Sequence, residues 1–270
     1  MSTLRAVFTI VGIAAVAAVL IPAQYLAMAL KSDRWMGRLP WWFHLAATRL
    51  IGLKIIEHGA PTASRPLLIL SNHVSWLDIT VIGALMPISF ISKAEVANWP
   101  VFGRFAKLQR TVFVERERRA ATGKVAGEIA RRLRSGDAMV LFPEGTSGNG
   151  THVLPFRTAL IGAARQAIAG ADETVWVQPL AVAYTRLHGL PLGRFRKPHV
   201  AWYGEMEMAS HLWSVLKRGE IDVDVVWSEP VIVDASTDRK EVARRAEAAV
   251  RRAVGDAIAG RYHDDAVRAA

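Results

Sequence analysis

The sequence predicts an α/β protein: a central, mostly parallel sheet flanked by helices, preceded by N-terminal membrane-associated helices. Three observations predict it. From Leu67 onward, short apolar runs alternate with stretches of helical pattern, as expected of strands covered by crossover helices. Hydrophobic residues make up 51% of the 270 residues, enough for one sizeable core and too many for a disordered chain. Residues 6–30 carry no formal charge, and about 20 apolar residues suffice to cross the hydrocarbon core as a helix.

The elements follow in order. In the N-terminal stretch, Pro22 and Gln24 interrupt the apolar run, and three readings stay open. One is a single anchor helix. Another is a signal peptide, with Arg5 as its basic start and Ala27-Met28-Ala29 as a cleavage site. The third is a helix that enters one leaflet, kinks at Pro22 and returns through the second apolar stretch at 41–56. Lys31, Arg34 and Arg38 stand beside Trp35, Trp41 and Trp42, the composition of a headgroup boundary. The basic flank follows the apolar run, which predicts a cytoplasmic remainder at the inner membrane. Retained attachment is favoured over cleavage because the run exceeds a usual signal core. The expected division is a membrane anchor or helical hairpin over 1–60 and a catalytic domain over 61–270.

Next, 67–70 reads as a buried strand, 75–85 as a helix with Ser75 as N-cap, and 88–91 as a strand. A helix with a basic face is expected at 120–133, a strand at 138–142 and a small-residue helix at 159–169. A strand at 175–183 is expected to break at Pro179. Residues 221–227 alternate as a strand, and 237–260 form an amphipathic helix rich in Ala and Arg.

Composition narrows the function. The absence of cysteine excludes a disulfide framework, thiolate metal sites and a cysteine nucleophile. A net charge of +10 and a pI near 10.4 point to an anionic partner. Nine tryptophans and a mean hydropathy of +0.20 favour membrane over nucleic acid, and no nucleic-acid-binding motif is present. Basic clusters at 116–119 and 131–134 fit either an anionic surface or solvated helix faces. The cluster at 239–252 fits solvated faces with pairs such as Glu241 and Arg245. His152, His188 and His199 lack metal-type spacing. Trp202, Met206, Met208 and Trp213 read as packing residues. The glycines at 145–150 lack the Lys-Ser/Thr ending of a phosphate loop. No bound cofactor and no metal are expected.

Two motifs carry chemistry. Asn72-His73-Val74-Ser75-Trp76-Leu77-Asp78 lies between a strand and a helix. The spacing lets the Asp78 carboxylate fold back onto one nitrogen of His73, leaving the other to take a proton. Taken alone, the pair reads first as a helix-capping carboxylate and a satisfied loop histidine, and a second motif changes that balance. Phe142-Pro143-Glu144-Gly145-Thr146-Ser147 then puts a carboxylate and a flexible turn at the carboxyl edge of a strand, where open α/β sheets bind ligands.

Asn-His-x-x-x-x-Asp followed by Phe-Pro-Glu-Gly-Thr resembles the glycerolipid acyltransferase family, which includes 1-acyl-glycerol-3-phosphate acyltransferase. Weaker blocks agree in order: Lys93, Glu95, Pro100, Phe102 and Gly103, then Phe113-Val114-Glu115-Arg116, then Val177-Gln178-Pro179-Leu180. The resemblance spans about 67–183. It implies a membrane-associated enzyme that moves an acyl group from acyl carrier protein or coenzyme A to a lipid hydroxyl. It implies catalysis by His73 and Asp78, and substrate binding by Asn72, Arg116, Glu144, Gly145, Thr146 and Pro179. No enzyme nucleophile is needed: His73 takes the acceptor's proton, and backbone N–H groups near Gly145 receive the oxyanion.

One departure bears on the acceptor. Phosphatidate-forming members carry Arg after Phe-Pro-Glu-Gly-Thr, where this chain has Ser147. Arg pairs bidentately with phosphate, and Ser offers one neutral hydrogen bond. Arg116 or Arg157 is left to compensate. Residues 142–164, 184–191 and 202–227 are similar to the subgroup that acylates lyso-ornithine lipid, whose acceptor has a carboxylate and an amine in place of phosphate. That puts lyso-ornithine lipid ahead of lysophosphatidate. A non-catalytic basic membrane-binding protein of the same fold is the rival from another class, against which the intact His73, Asp78 and Glu144 argue.

Overall fold

In the computed structural model, residues 2–114, 119–158, 161, 174–234 and 236–262 are described. Glu115, Arg116 and nearly all of the expected 159–169 helix lie outside them.

The chain opens with α1 (Ser2–Ala29) and α2 (Asp33–Ile51). α1 is one continuous helix with Pro22 inside it. It is long and apolar enough to cross a membrane, and most of its surface is exposed. The two helices are antiparallel. Thr9 Oγ1 donates to the Leu50 carbonyl near one end, and Gln24 Nε2 to the Met36 carbonyl near the other. Gln24 is buried and its amide also donates to the Leu108 carbonyl at 2.7 Å, so the polar residue within the apolar run serves as a tie. Arg5 donates to the carbonyls of Ile51 and Leu216, pinning the start of α1 to the rest of the protein. Gly219 makes room for it: with φ +63°, a Cβ there would lie 1.9 Å from Arg5 Cζ.

The helical pair ends at Ile51, and β1 (Leu53–His58) is already a strand of the sheet. Ile55 and Ile56 therefore belong to a strand, not to the second apolar stretch read over 41–56. The remaining strands are β2 (Leu67–Ser71), β3 (Ser89–Lys93), β4 (Val112–Val114), β5 (Ala138–Leu141), β6 (Val175–Leu187), β7 (Leu190–Pro191), β8 (Ile221–Trp227) and β9 (Val231–Val233). Their order is β1-β8-β6-β2-β5-β3-β4, with β7 and β9 both paired to β6. Every step along that path is parallel except β6 to β8.

β2 is buried at all five positions, as its continuous apolar run requires of a central parallel strand. Leu67 and Ile69 face one layer and Leu68 and Leu70 the other. The first layer holds α3 (Leu77–Leu85), α6 (Met208–Arg218) and the start of α1. The second holds α5 (Arg119–Arg134) and α7 (Arg239–Ile258). α4 (Phe102–Leu108) follows a 3₁₀ turn at Ala94–Asn98.

β6 does not break at Pro179. The Pro179 carbonyl accepts from Ser228 N at 3.0 Å, so its missing N–H faces the same side. There β6 passes from pairing with β9 at Val177 to pairing with β8 at Leu180. No ladder bond is required at the hand-over, and proline is tolerated.

Candidate active site

The site forms where β2 and β5 end beside the start of α3. Asn72 follows β2 and is buried. Its amide donates to the Val182 carbonyl at 2.9 Å and accepts from Val182 N at 2.8 Å, so both polar atoms hold the turn against β6. His73 is gripped through its backbone as well. Its N–H donates to Glu144 Oε1 at 3.2 Å, and its carbonyl accepts from Gly148 N at 2.8 Å. The ring stacks on Phe142 with centroids 4.3 Å apart.

Asp78 is wholly buried in the first turn of α3, where the helix dipole favours a carboxylate. Oδ2 accepts from His73 Nδ1 at 2.8 Å, Val74 N at 2.6 Å and Ser75 N at 2.9 Å. Oδ1 accepts from Tyr184 Oη at 2.7 Å. Asp78 thus draws in the two N–H groups that precede the helix. Ser75 is not the N-cap: helix entry falls at Trp76, with no side-chain cap bond. Ser75 Oγ is buried and has no hydrogen-bond partner among the described residues. An ionised carboxylate only accepts, so Nδ1 carries the ring proton and Nε2 keeps its lone pair. The His73 side chain is 20% exposed, the opening a base needs toward a substrate.

Glu144 is buried, and burial pushes its pKa up to about 8, against the pull of the His73 and Leu154 backbone N–H groups; nearby Asp78 adds to the rise. At neutral pH it holds a proton. Gly145, at φ +75°, closes the turn by donating to the Phe142 carbonyl at 3.1 Å. That N–H is therefore spent on the turn. Thr146 is exposed and Ser147 half-buried beside it. Arg157 is exposed, and its backbone N–H donates to the Pro143 carbonyl at 2.9 Å, which ties its segment to this turn. Pro179 is buried within β6, one residue before the register partner of Ser71.

The structure thus brings His73, Asp78, Asn72, Glu144, Gly145, Thr146, Ser147 and Arg157 around two adjoining turns. Tyr184 was not anticipated. It lies 106 residues from Asp78, and only the alternation of β6, which puts it on the same face as Leu180 and Val182, could have indicated it. Burial holds its phenol well above the usual tyrosine range, so it donates at every working pH. Lys197 was also missed. It is buried, its Nζ donates to the Tyr184 carbonyl at 2.8 Å, and burial lowers its pKa to about 8. A second histidine–aspartate pair, His58 and Asp224 at 2.7 Å, lies on the other side of the sheet. There Thr185 Oγ1 donates to Asp224 and Tyr262 stacks on His58. Among the described residues, no group of three or more His, Asp and Glu side chains is placed to hold a metal ion.

Comparison with known proteins gives four results. The family model for Acyltransferase matches residues 53–183. The chain is 51% identical over 261 residues to a lyso-ornithine lipid O-acyltransferase of Brucella abortus, covering 96% of this chain and 97% of that one. It is 32% identical over 207 residues to a 1-acyl-sn-glycerol-3-phosphate acyltransferase of Neisseria gonorrhoeae, covering 74% and 75%. The crystal structure of the 1-acyl-sn-glycerophosphate acyltransferase of Thermotoga maritima superposes with a TM-score of 0.63 over 95% of this chain and 97% of that one, at 20% identity, and shares its fold.

Proposed function

The chain belongs to the acyltransferase family, and on that premise we propose that it moves a fatty acyl group from an acyl thioester to the hydroxyl of lyso-ornithine lipid, forming ornithine lipid. The observation that carries the acceptor is the 51% identity over nearly the whole chain to a protein named for that reaction. Ser147 supports it: the position that would hold a phosphate-binding Arg offers only a neutral hydroxyl.

His73 Nε2 takes the proton of the acceptor hydroxyl as the oxygen attacks the thioester carbonyl. Asp78 stabilises the imidazolium that forms. Two turn N–H groups, of Thr146 and Ser147, make no bond among the described residues and are the donors we assign to the tetrahedral oxyanion. On collapse the carbon–sulfur bond breaks, and the thiolate leaves with the proton returned by His73. A general base contributes about 10²–10⁴-fold, and fixing both substrates supplies more.

The donor in this reading is acyl carrier protein or coenzyme A thioester, a co-substrate rather than a bound cofactor. α1 supports membrane association. The basic residues after it support a catalytic domain on the cytoplasmic face of the inner membrane, with residues 1–60 as the anchoring part and 61–270 as the catalytic part. For lysophosphatidate as a second acceptor, we assign the phosphate to Arg157, whose backbone is tied to Pro143 beside the turn.

Membranes from cells without endogenous activity, expressing this chain, are assayed with labelled acyl carrier protein and each acceptor. His73-dependent labelling of lyso-ornithine lipid is expected. Labelling of lysophosphatidate alone, abolished by Arg157→Ala, would replace the acceptor. Product formation by His73→Ala at the normal rate would overturn the mechanism.

A further inference from the structure

Phe195 is 95% exposed, the most solvent-accessible of the large hydrophobic side chains among the described residues. It sits in a six-residue 3₁₀ turn, Arg194–His199, between two exposed arginines, Arg194 and Arg196. Leu190, in the short strand that leads into the turn, is 57% exposed. This is no slack loop. Leu192 is buried before the aromatic and Lys197 after it, and Lys197 Nζ is bonded to the Tyr184 carbonyl. Leu192 N donates to the Thr185 carbonyl at 2.7 Å, Arg196 N to that of Gly193 at 2.9 Å, and Ala201 N to that of Lys197 at 2.8 Å. Two buried pins therefore hold a rigid turn with its aromatic residue outward. An isolated exposed apolar side chain needs no explanation. A braced one, flanked by like charges and with a second apolar neighbour, has the composition of an interfacial anchor.

The turn belongs to the layer that carries α1. It packs against α6, which packs against α1. On its other flank, Trp202 meets Trp99 edge-on at 6.1 Å. Trp99, with Ile21 of α1, lines a cleft of about 610 Å³. The turn is also tied to the active site, since Trp202 N donates to the carbonyl of Val74, the neighbour of His73. Two cations flanking the aromatic select a surface that is apolar below and anionic above, which a leaflet of anionic phospholipid provides and a water-facing protein partner does not.

We propose that Arg194–Phe195–Arg196 is a second membrane contact, separate from α1, with Phe195 seated at the headgroup boundary of an anionic leaflet and the two arginines on lipid phosphates. Its effect is to hold the turn bearing His73 at the surface where a lysolipid acceptor resides.

The chain has no cysteine, so Phe195→Cys gives a single labelling site in the full-length protein. An environment-sensitive fluorophore at 195 is compared with one at Arg252→Cys, on α7 in the opposite layer. Both are reconstituted in vesicles of phosphatidylcholine alone or with added phosphatidylglycerol. Spin-labelled lipid and aqueous iodide serve as quenchers. The expected result is a blue-shifted probe at 195, quenched by lipid about twofold or more above the control, in anionic vesicles only and weakened by salt. In a second measurement, Phe195→Ser with Arg194→Gln and Arg196→Gln raises KM for vesicle-borne acceptor about tenfold and leaves kcat in detergent unchanged. A probe quenched by iodide in both vesicle types overturns the proposal, as does equal insertion into both. A probe that responds to an acidic carrier protein and not to vesicles assigns the turn to that partner and overturns it too. Flotation of the same samples reads attachment through α1 independently, so failure of the anchor is told apart from failure of the turn.

Discussion

Replacing Asp78 with Asn tests whether the carboxylate acts through its charge or only through its hydrogen bonds. The structure permits a clean separation. An amide oxygen in the place of Oδ2 still accepts from His73 Nδ1, Val74 N and Ser75 N, and the amide NH₂ in the place of Oδ1 donates to Tyr184 Oη once that hydroxyl turns. The ring stays in place with its proton on Nδ1. What is lost is the attraction between the carboxylate and the imidazolium formed during proton transfer. For unit charges about 4 Å apart at an effective dielectric constant near 20, that attraction is about 4 kcal/mol. With the proton half transferred in the transition state, about 2 kcal/mol is forfeited, or about 30-fold in rate; with full transfer the loss approaches 10³-fold. The expected result is a kcat reduced by about 30- to 1000-fold, an unchanged KM and an unchanged melting temperature. Asp78→Ala is the contrast: it strands four donors at a buried position, so it loses stability as well as rate. An Asp78→Asn enzyme within about fivefold of the parent in kcat would refute the assignment of His73 as a base supported by Asp78.

Three further outcomes follow from the same geometry. Glu144 is protonated in the folded state up to about pH 8 and in the unfolded chain only to about 4.5, so the native state binds the extra proton between those values. Stability therefore falls as pH rises through that window, by up to about 1.4 kcal/mol per pH unit from this group. Glu144→Gln, a mimic of the protonated form, should flatten that slope in denaturant titrations across the window while keeping activity at neutral pH. Tyr184→Phe removes the donor from Asp78 Oδ1; a loss of about 1–3 kcal/mol in stability and a fall in kcat with KM unmoved is expected, read by thermal unfolding and steady-state kinetics. Gly219→Ala meets Arg5 and imposes a left-handed backbone on a residue with a Cβ, so a destabilisation of about 1–3 kcal/mol is expected, whereas Gly193→Ala, with open space around it, should be neutral in the same melt.

What was legible in the sequence was local. The five-residue spacing of His73 and Asp78 survives because one turn between a strand and a helix is enough to fold a carboxylate back onto a ring. The place of Glu144 at a strand end was legible for the same reason. What was not legible depends on pairings far along the chain. Tyr184 completes the Asp78 shell only because β6 lies beside β2, a fact of sheet order and not of spacing. Pro179 looked like a break because a proline costs a ladder bond in a central strand, yet it falls where β6 changes partners. Ser75 had the right chemistry for a cap, but helix entry falls one residue later, at Trp76. Gln24 looked like an interruption because its partners, Met36 and Leu108, are not its neighbours in sequence.

The contact of Arg5 with the Ile51 and Leu216 carbonyls has a consequence for how the first helix works. A membrane helix on a flexible tether would let the catalytic part drift through a range of heights and tilts. Here the helix is welded at its start to the end of α2 and the end of α6, and clasped near its far end through Gln24. If α1 lies in lipid, these ties make its depth set the altitude and pitch of His73. Exchanging α1 for an unrelated span of equal length would preserve attachment and lose aim. Cutting it away would strip the cover from Ile51 and leave two carbonyls without a donor.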